Sequence, residues 1–150
     1  MHKIVRYYIR ASFVFLVAGS LLGIWMLYQK TIAGQYPDPE HVTAHTHLIL
    51  VGSVMGMILG VAQWMFPRPQ PGSRYSPDLA MAIFYLFVAA TVARTLAEFA
   101  LPFLPLSWLR VVAFVAGSAQ IVAFALYAFN MWPRIRAVGS QFREARGEKF

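Results

Sequence analysis

Cysteine is absent from this 150-residue chain. Its absence excludes disulfides, thiolate metal sites and thiol redox chemistry. Any metal or cofactor is left to His, Met, carboxylate or amide ligands. Charge is scarce as well. Only 13% of residues are charged, and six are acidic, against roughly 25% charged in ordinary globular proteins. No internal repeat or low-complexity segment is apparent. Of the four histidines, three (His41, His45 and His47) stand together in "HVTAHTH".

What the chain does have is apolar length. Fifty-nine per cent of its residues are hydrophobic, in long runs at regular intervals, which points to an integral membrane protein. The net charge of +7 is then no nucleic-acid footprint, and no nucleic-acid partner is expected. Basic residues in a membrane protein mark the cytoplasmic side.

Four segments reach the bilayer length of about 20 residues. They are expected at about 8–28, 43–66, 79–101 and 109–132. With no water to satisfy the backbone and no alternating barrel pattern, each should be an α-helix. The expectation is one all-α domain over residues 1–150, a four-transmembrane-helix bundle. "GQYPDP", "PRPQPGSRYSPD" and "LPFLPLS" break the spans, and a basic tail covers residues 133–150. The first span has a basic start, as a signal peptide would. Its apolar run is too long for a signal core, however, and "WMLYQK" is a poor cleavage region.

Orientation follows from Lys and Arg. Lys3, Arg6, Arg10, Arg68, Arg74, Arg134, Arg136, Arg143, Arg146 and Lys149 share one side. Lys30 stands opposite, with Arg110 near that boundary. Both termini should be cytoplasmic in a multi-pass protein of the inner (cytoplasmic) membrane. The three clustered histidines then lie at the outer end of the second helix.

Asp38 is a good N-cap and Pro39 a good first helical residue. His41 falls in the first turn, where the plainest expectation is a wetted interfacial side chain. His45 follows one turn later. His47 is about 200° around the axis from His45, so the two point to different partners. This suits a flat cofactor gripped by one histidine, with the other doing separate work. Arg94 lies inside the third span, at a cost of about 2.5–3.5 kcal/mol on insertion scales, and Glu98 is one turn away. His45, His47, Arg94, Glu98 and Arg110 are expected to converge at one depth, with iron on histidine and arginines on heme carboxylates. A plain structural ion pair is the other reading of Arg94 and Glu98. Glycines at four-residue spacing (Gly19 and Gly23; Gly52, Gly56 and Gly60) allow close approach of a helix or a flat ligand. Helix packing alone is the simpler account.

"HTHLILVG", "GSVMGMILG" and "WMFPR" resemble the second helix of the catalytic subunit of the heme-copper superfamily, the respiratory oxidases and nitric oxide reductases. "RASFVFLVAGSLLGIW" resembles their first helix. The likeness covers about the first 70 residues; the last two spans match only in hydropathy. It implies heme b, with His45 as an axial ligand of the iron. The position of His47 is often His or Asn in that family, and family arginines, which do not align securely with Arg94 or Arg110, contact the heme propionates.

The family's remaining metal ligands lie on later helices that this chain lacks, and its only other histidine is His2. The chain is therefore not expected to be a complete oxidase by itself. The expectation is a small b-type heme protein for electron transfer or diatomic-gas binding. Met26, or His47 from a neighbouring protomer, would be the sixth ligand; otherwise the iron is five-coordinate and open to a diatomic gas. A homo-oligomer is expected, because four helices leave one side of a heme facing lipid. A heme-free accessory subunit or assembly factor is the alternative, and copper or zinc handling a third reading.

Overall fold

The computed structural model describes residues 3–136 except Pro71, and Gly139, Phe142, Arg146 and Gly147 of the tail. His2, Arg143 and Lys149 lie outside the described residues. Four long helices follow one another: α1 (Lys3–Thr31), α2 (Pro39–Met65), α3 (Pro77–Ala100) and α4 (Ser107–Met131). A single 3₁₀ turn, Trp132–Arg134, closes α4. All four are long and apolar enough to cross a membrane. Each starts a few residues before its expected span. Hydropathy reads only the lipid-length centre, whereas a helix continues to its caps.

The caps are those the sequence announces. The Asp38 carboxylate accepts from the Glu40 N–H at 2.9 Å, with Pro39 following. The Ser76 hydroxyl accepts from the Leu79 N–H at 3.2 Å. Asn130, near the end of α4, grips Ser76 from both sides. Its Oδ1 accepts the Ser76 N–H at 2.9 Å and its Nδ2 donates to the Ser76 carbonyl at 3.0 Å. The end of α4 is thereby tied to the start of α3.

One core gathers Val5 and Tyr8 of α1, Leu59 of α2, Ile83 and Phe87 of α3, and Tyr127 and Met131 of α4. The start of α1, the end of α2, the start of α3 and the end of α4 therefore share one end of the bundle. Lys3, Arg6, Arg68, Arg74 and Arg134 lie there too, and we call it the basic end. A smaller cluster of Ala97, Leu101 and Leu109 closes the histidine end. Outward faces are apolar as well: Val14, Phe114 and Ile121 are two-thirds exposed or more, a pattern that water penalises.

The second span differs from expectation, because it is not α-helical throughout. Its centre, His47–Met55, is π-helical, between α-helical Pro39–Thr46 and Gly56–Met65. The residues of α2 that meet α1 show why. They recur at His45, Leu48/Ile49, Gly52, Gly56 and Gly60, or roughly 3.75 residues per turn against 3.6 for an ideal α-helix. The widened turns hold one edge of α2 on α1 along its length. The glycines are consumed by that contact. A Cβ on Gly52 would lie 2.7 Å from Phe15, one on Gly56 2.6 Å from Ser12 Oγ, and one on Gly60 2.7 Å from Tyr8. They pack helices within the chain, and so lend no support to contacts between protomers.

Candidate functional site

α2 presents its histidines to different helices, as their spacing requires. His45 faces α1. Its Nδ1–H donates to the Gly19 carbonyl at 2.9 Å. The half-buried ring lies over Gly23, where a Cβ would stand 2.9 Å from Cε1. Glycine at 23 is therefore a steric condition for the ring's position.

His47 faces α3. Its Nδ1–H donates to Glu98 Oε2 at 2.8 Å. The other carboxylate oxygen, Oε1, accepts from Arg94 Nε at 2.9 Å. Arg94 Nη1 donates to Gln120 Oε1 on α4 at 3.0 Å. Gln120 Nε2 donates to Thr91 Oγ1 at 3.1 Å, and Thr91 returns its proton to the Phe87 carbonyl at 2.8 Å. A continuous polar chain thus links α2, α3 and α4 inside the apolar bundle. Glu98 is 4% exposed, so the charge of its carboxylate is held by Arg94 and by the His47 N–H rather than by water. Gly117 gives the guanidinium room; a Cβ there would stand 3.2 Å from Nη1.

His47, Arg94 and Glu98 share one centre, while His45 turns away to α1. Two expectations need correction. Convergence of all five residues fails at His45, which faces α1, and at Arg110. That side chain is exposed at the rim of a polar pocket of about 290 Å³ formed with Asp38, Glu40 and Pro102. It starts α4 too far toward the helix end to join the chain. His41 is not a wetted interfacial group: it is 3% exposed. Its Nε2–H donates to the Phe99 carbonyl at 3.2 Å. Trp25, Phe99 and Phe103 enclose the ring at centroid distances of 4.9, 5.1 and 5.2 Å. The end of α1 and the α3–α4 turn fold over the first turn of α2, which local sequence does not reveal.

Met26 is half-buried on α1, three residues past Gly23. Gln120 and Thr91 were missed by the sequence reading. The available signal was an amide in the middle of an apolar span, where polar groups are costly and find partners.

A second polar cluster sits at the basic end. Arg134 is 4% exposed and wraps the end of α2. Nε donates to the Pro67 carbonyl at 3.0 Å, and Nη2 to the carbonyls of Gln63 at 2.8 Å and Phe66 at 2.9 Å. Nη1 donates to Gln63 Oε1 at 2.7 Å and to Met131 Sδ at 3.5 Å. Tyr75 also donates to Gln63 Oε1, at 3.2 Å, and its ring lies 4.9 Å from the guanidinium carbon.

Fold and site together define an all-helical chain with four helices long and apolar enough to span a membrane, and a hydrogen-bonded ion pair within their bundle. No family model matches the chain, and no curated protein or solved structure is significantly similar to it. Among the described residues, no group of three or more His, Cys, Asp or Glu side chains is placed to hold a metal ion. A heme iron asks for less, since one or two axial side chains suffice.

Proposed function

We propose that the chain is a small b-type heme protein of the cytoplasmic membrane, with both termini cytoplasmic and His45 as the axial ligand. The carrying observation is the bond from His45 Nδ1 to the Gly19 carbonyl. Metal-ligating histidines characteristically donate their other ring N–H to such an acceptor, which fixes the tautomer and raises ligand basicity. Here the bond leaves Nε2 as the nitrogen free to coordinate. The likeness of "HTHLILVG" to the heme-copper second helix supports the same residue. The predominance of Lys and Arg at the basic end supports the orientation.

The donor set fits heme at the axial position and not at its carboxylates. Arg94 is already neutralised by Glu98, and Arg110 stands at the rim beside Asp38 and Glu40. A bound heme would supply a one-electron iron couple or, with one position open, a site for a diatomic gas. The chain's own residues orient the imidazole (Gly19), leave room for it (Gly23) and anchor the neighbouring turn of α2 to α3 (His47 through Glu98). Met26, or His47 of a second copy in a homo-oligomer, would hold the iron's remaining position if it is not left open. A redox partner or a diatomic gas would be its counterpart.

A heme-free accessory subunit is the second reading. It is favoured by the way His47, Arg94 and Glu98 satisfy one another without a cofactor. Pyridine hemochrome analysis of protein expressed with ample heme decides between them. Near-stoichiometric heme in the wild type, and its loss in a folded His45→Ala variant, is the expected result. Heme-free wild type favours the accessory reading, and undiminished heme in His45→Ala removes His45 as the ligand.

A further inference from the structure

We propose that the basic end carries a binding site for a phosphate oxyanion, formed by the buried Gln63 and Arg134 and the exposed Lys3 around a partly open cavity. The cavity is about 260 Å³ and is lined by these residues with Tyr75 and Met81. Three observations converge on it.

The first is charge. Arg134 is 4% exposed, and the ion pairs among the described residues are those of Glu98 with Arg94 and with His47. Arg134 thus has no carboxylate. The carbonyls it meets at the end of α2 carry only about half a unit of negative charge in total. Lys3 on the same cavity adds a further whole positive charge. A buried cation without a counter-ion is costly, so an anion is the missing partner.

The second is an orphaned donor. Gln63 is 2% exposed. Its Oε1 must face the Arg134 N–H and the Tyr75 O–H, since both need an acceptor. Its Nε2 therefore faces away from them, and it is buried with no hydrogen-bond partner. A buried N–H group left unpaired costs about 1–3 kcal/mol, and an oxyanion would accept from it.

The third is division of labour. The five N–H groups of Arg134 are all used on Pro67, Gln63, Phe66 and Met131. Arg134 supplies field, while Gln63 Nε2 and the Lys3 ammonium supply hydrogen bonds. At a membrane-facing helix end, the oxyanion is either a lipid headgroup phosphate or free phosphate.

Thermal melting of the purified full chain in a zwitterionic detergent tests this. The additions are inorganic phosphate, phosphatidylglycerol and phosphatidylcholine, each alone. A rise in melting temperature with phosphatidylglycerol but not phosphate assigns a lipid headgroup. A rise with phosphate as well assigns the free anion. An equal response to phosphatidylcholine, or no response to either anion, overturns the proposal. Lys3→Gln should weaken the anion response roughly fivefold in half-saturating concentration, as expected for one interfacial charge. Gln63→Glu places a carboxylate beside Arg134. It should raise the melting temperature without additive and abolish the anion response. Should Gln63→Glu fail to fold, an unchanged response in Lys3→Gln would by itself overturn the assignment of Lys3 and the charge argument with it.

Discussion

Two arginines, Arg94 half-buried and Arg134 buried, differ in what they lean on. Arg94 lies within α3, and its partners are side chains: Glu98 one turn away and Gln120 on α4. Arg134 lies in the 3₁₀ turn that closes α4, and its partners are mostly main-chain carbonyls of the last turn of α2 and the two residues that follow it. The cause is the helix itself. In mid-helix every carbonyl is already bonded four residues on, so an arginine there must bring its own acid. At a helix C-terminus the last carbonyls are orphaned and accept a cation's N–H groups. The difference shows what each cluster depends on. The first is closed and neutral, while the second is bonded but keeps an excess of positive charge.

The most disruptive test of this contrast is Glu98→Ala. It leaves Arg94 uncompensated within the bundle and takes the acceptor from His47. Breaking a fully buried pair from one side costs about 3–5 kcal/mol; with the Arg94 side chain 26% exposed, the loss should fall near the lower end of that range, to be read as a lower unfolding midpoint in detergent. The double variant Arg94→Leu/Glu98→Leu should recover most of that loss, because neither charge then remains. A double variant as unstable as the single would mean that the pair does more than neutralise itself.

Arg134→Met should cost less, about 1.5–3 kcal/mol. The carbonyls it exposes stand at a helix end that water or headgroups can reach. Its positive excess disappears with it, so the anion response should vanish too. A loss exceeding that of Glu98→Ala would break the comparison, since it would show that backbone caps matter more here than the internal ion pair.

Much of this architecture was legible from residues taken locally. Asp38-Pro39 and Ser76-Pro77 announce helix starts, and the apolar runs announce spans, because both depend on nearest-neighbour chemistry. The divergence of His45 and His47 was legible too, being a matter of rotation along one helix. What could not be read was which helix each face would meet. The burial of His41 depends on Trp25 and Phe103, far away in the chain. The removal of Arg110 from the site depends on where α4 begins relative to α3. The π-helical centre of α2 depends on α1 keeping contact along one edge, and hydrophobic periodicity over so short a stretch does not separate 3.6 from 3.75 residues per turn. Arg134 was counted as a surface charge of a basic tail. Nothing near it in sequence shows that the end of α2 lies within its reach.

The mildest test concerns His47, and it separates support from ligation. His47→Ala removes one hydrogen bond from Glu98, whose other oxygen still accepts from Arg94. The charge remains paired, so the expected loss of stability is about 1 kcal/mol, well below that of Glu98→Ala. His45 keeps its bond to Gly19, because that contact lies on the opposite side of α2. If His47 only braces α2 against α3, heme content and the electron paramagnetic resonance spectrum should match the wild type. A change of spin state with heme retained would instead identify His47 as a ligand donated by a second copy. In that case the bond to Glu98 would orient a metal ligand, and the polar chain through Arg94 and Gln120 would be the support of a shared site.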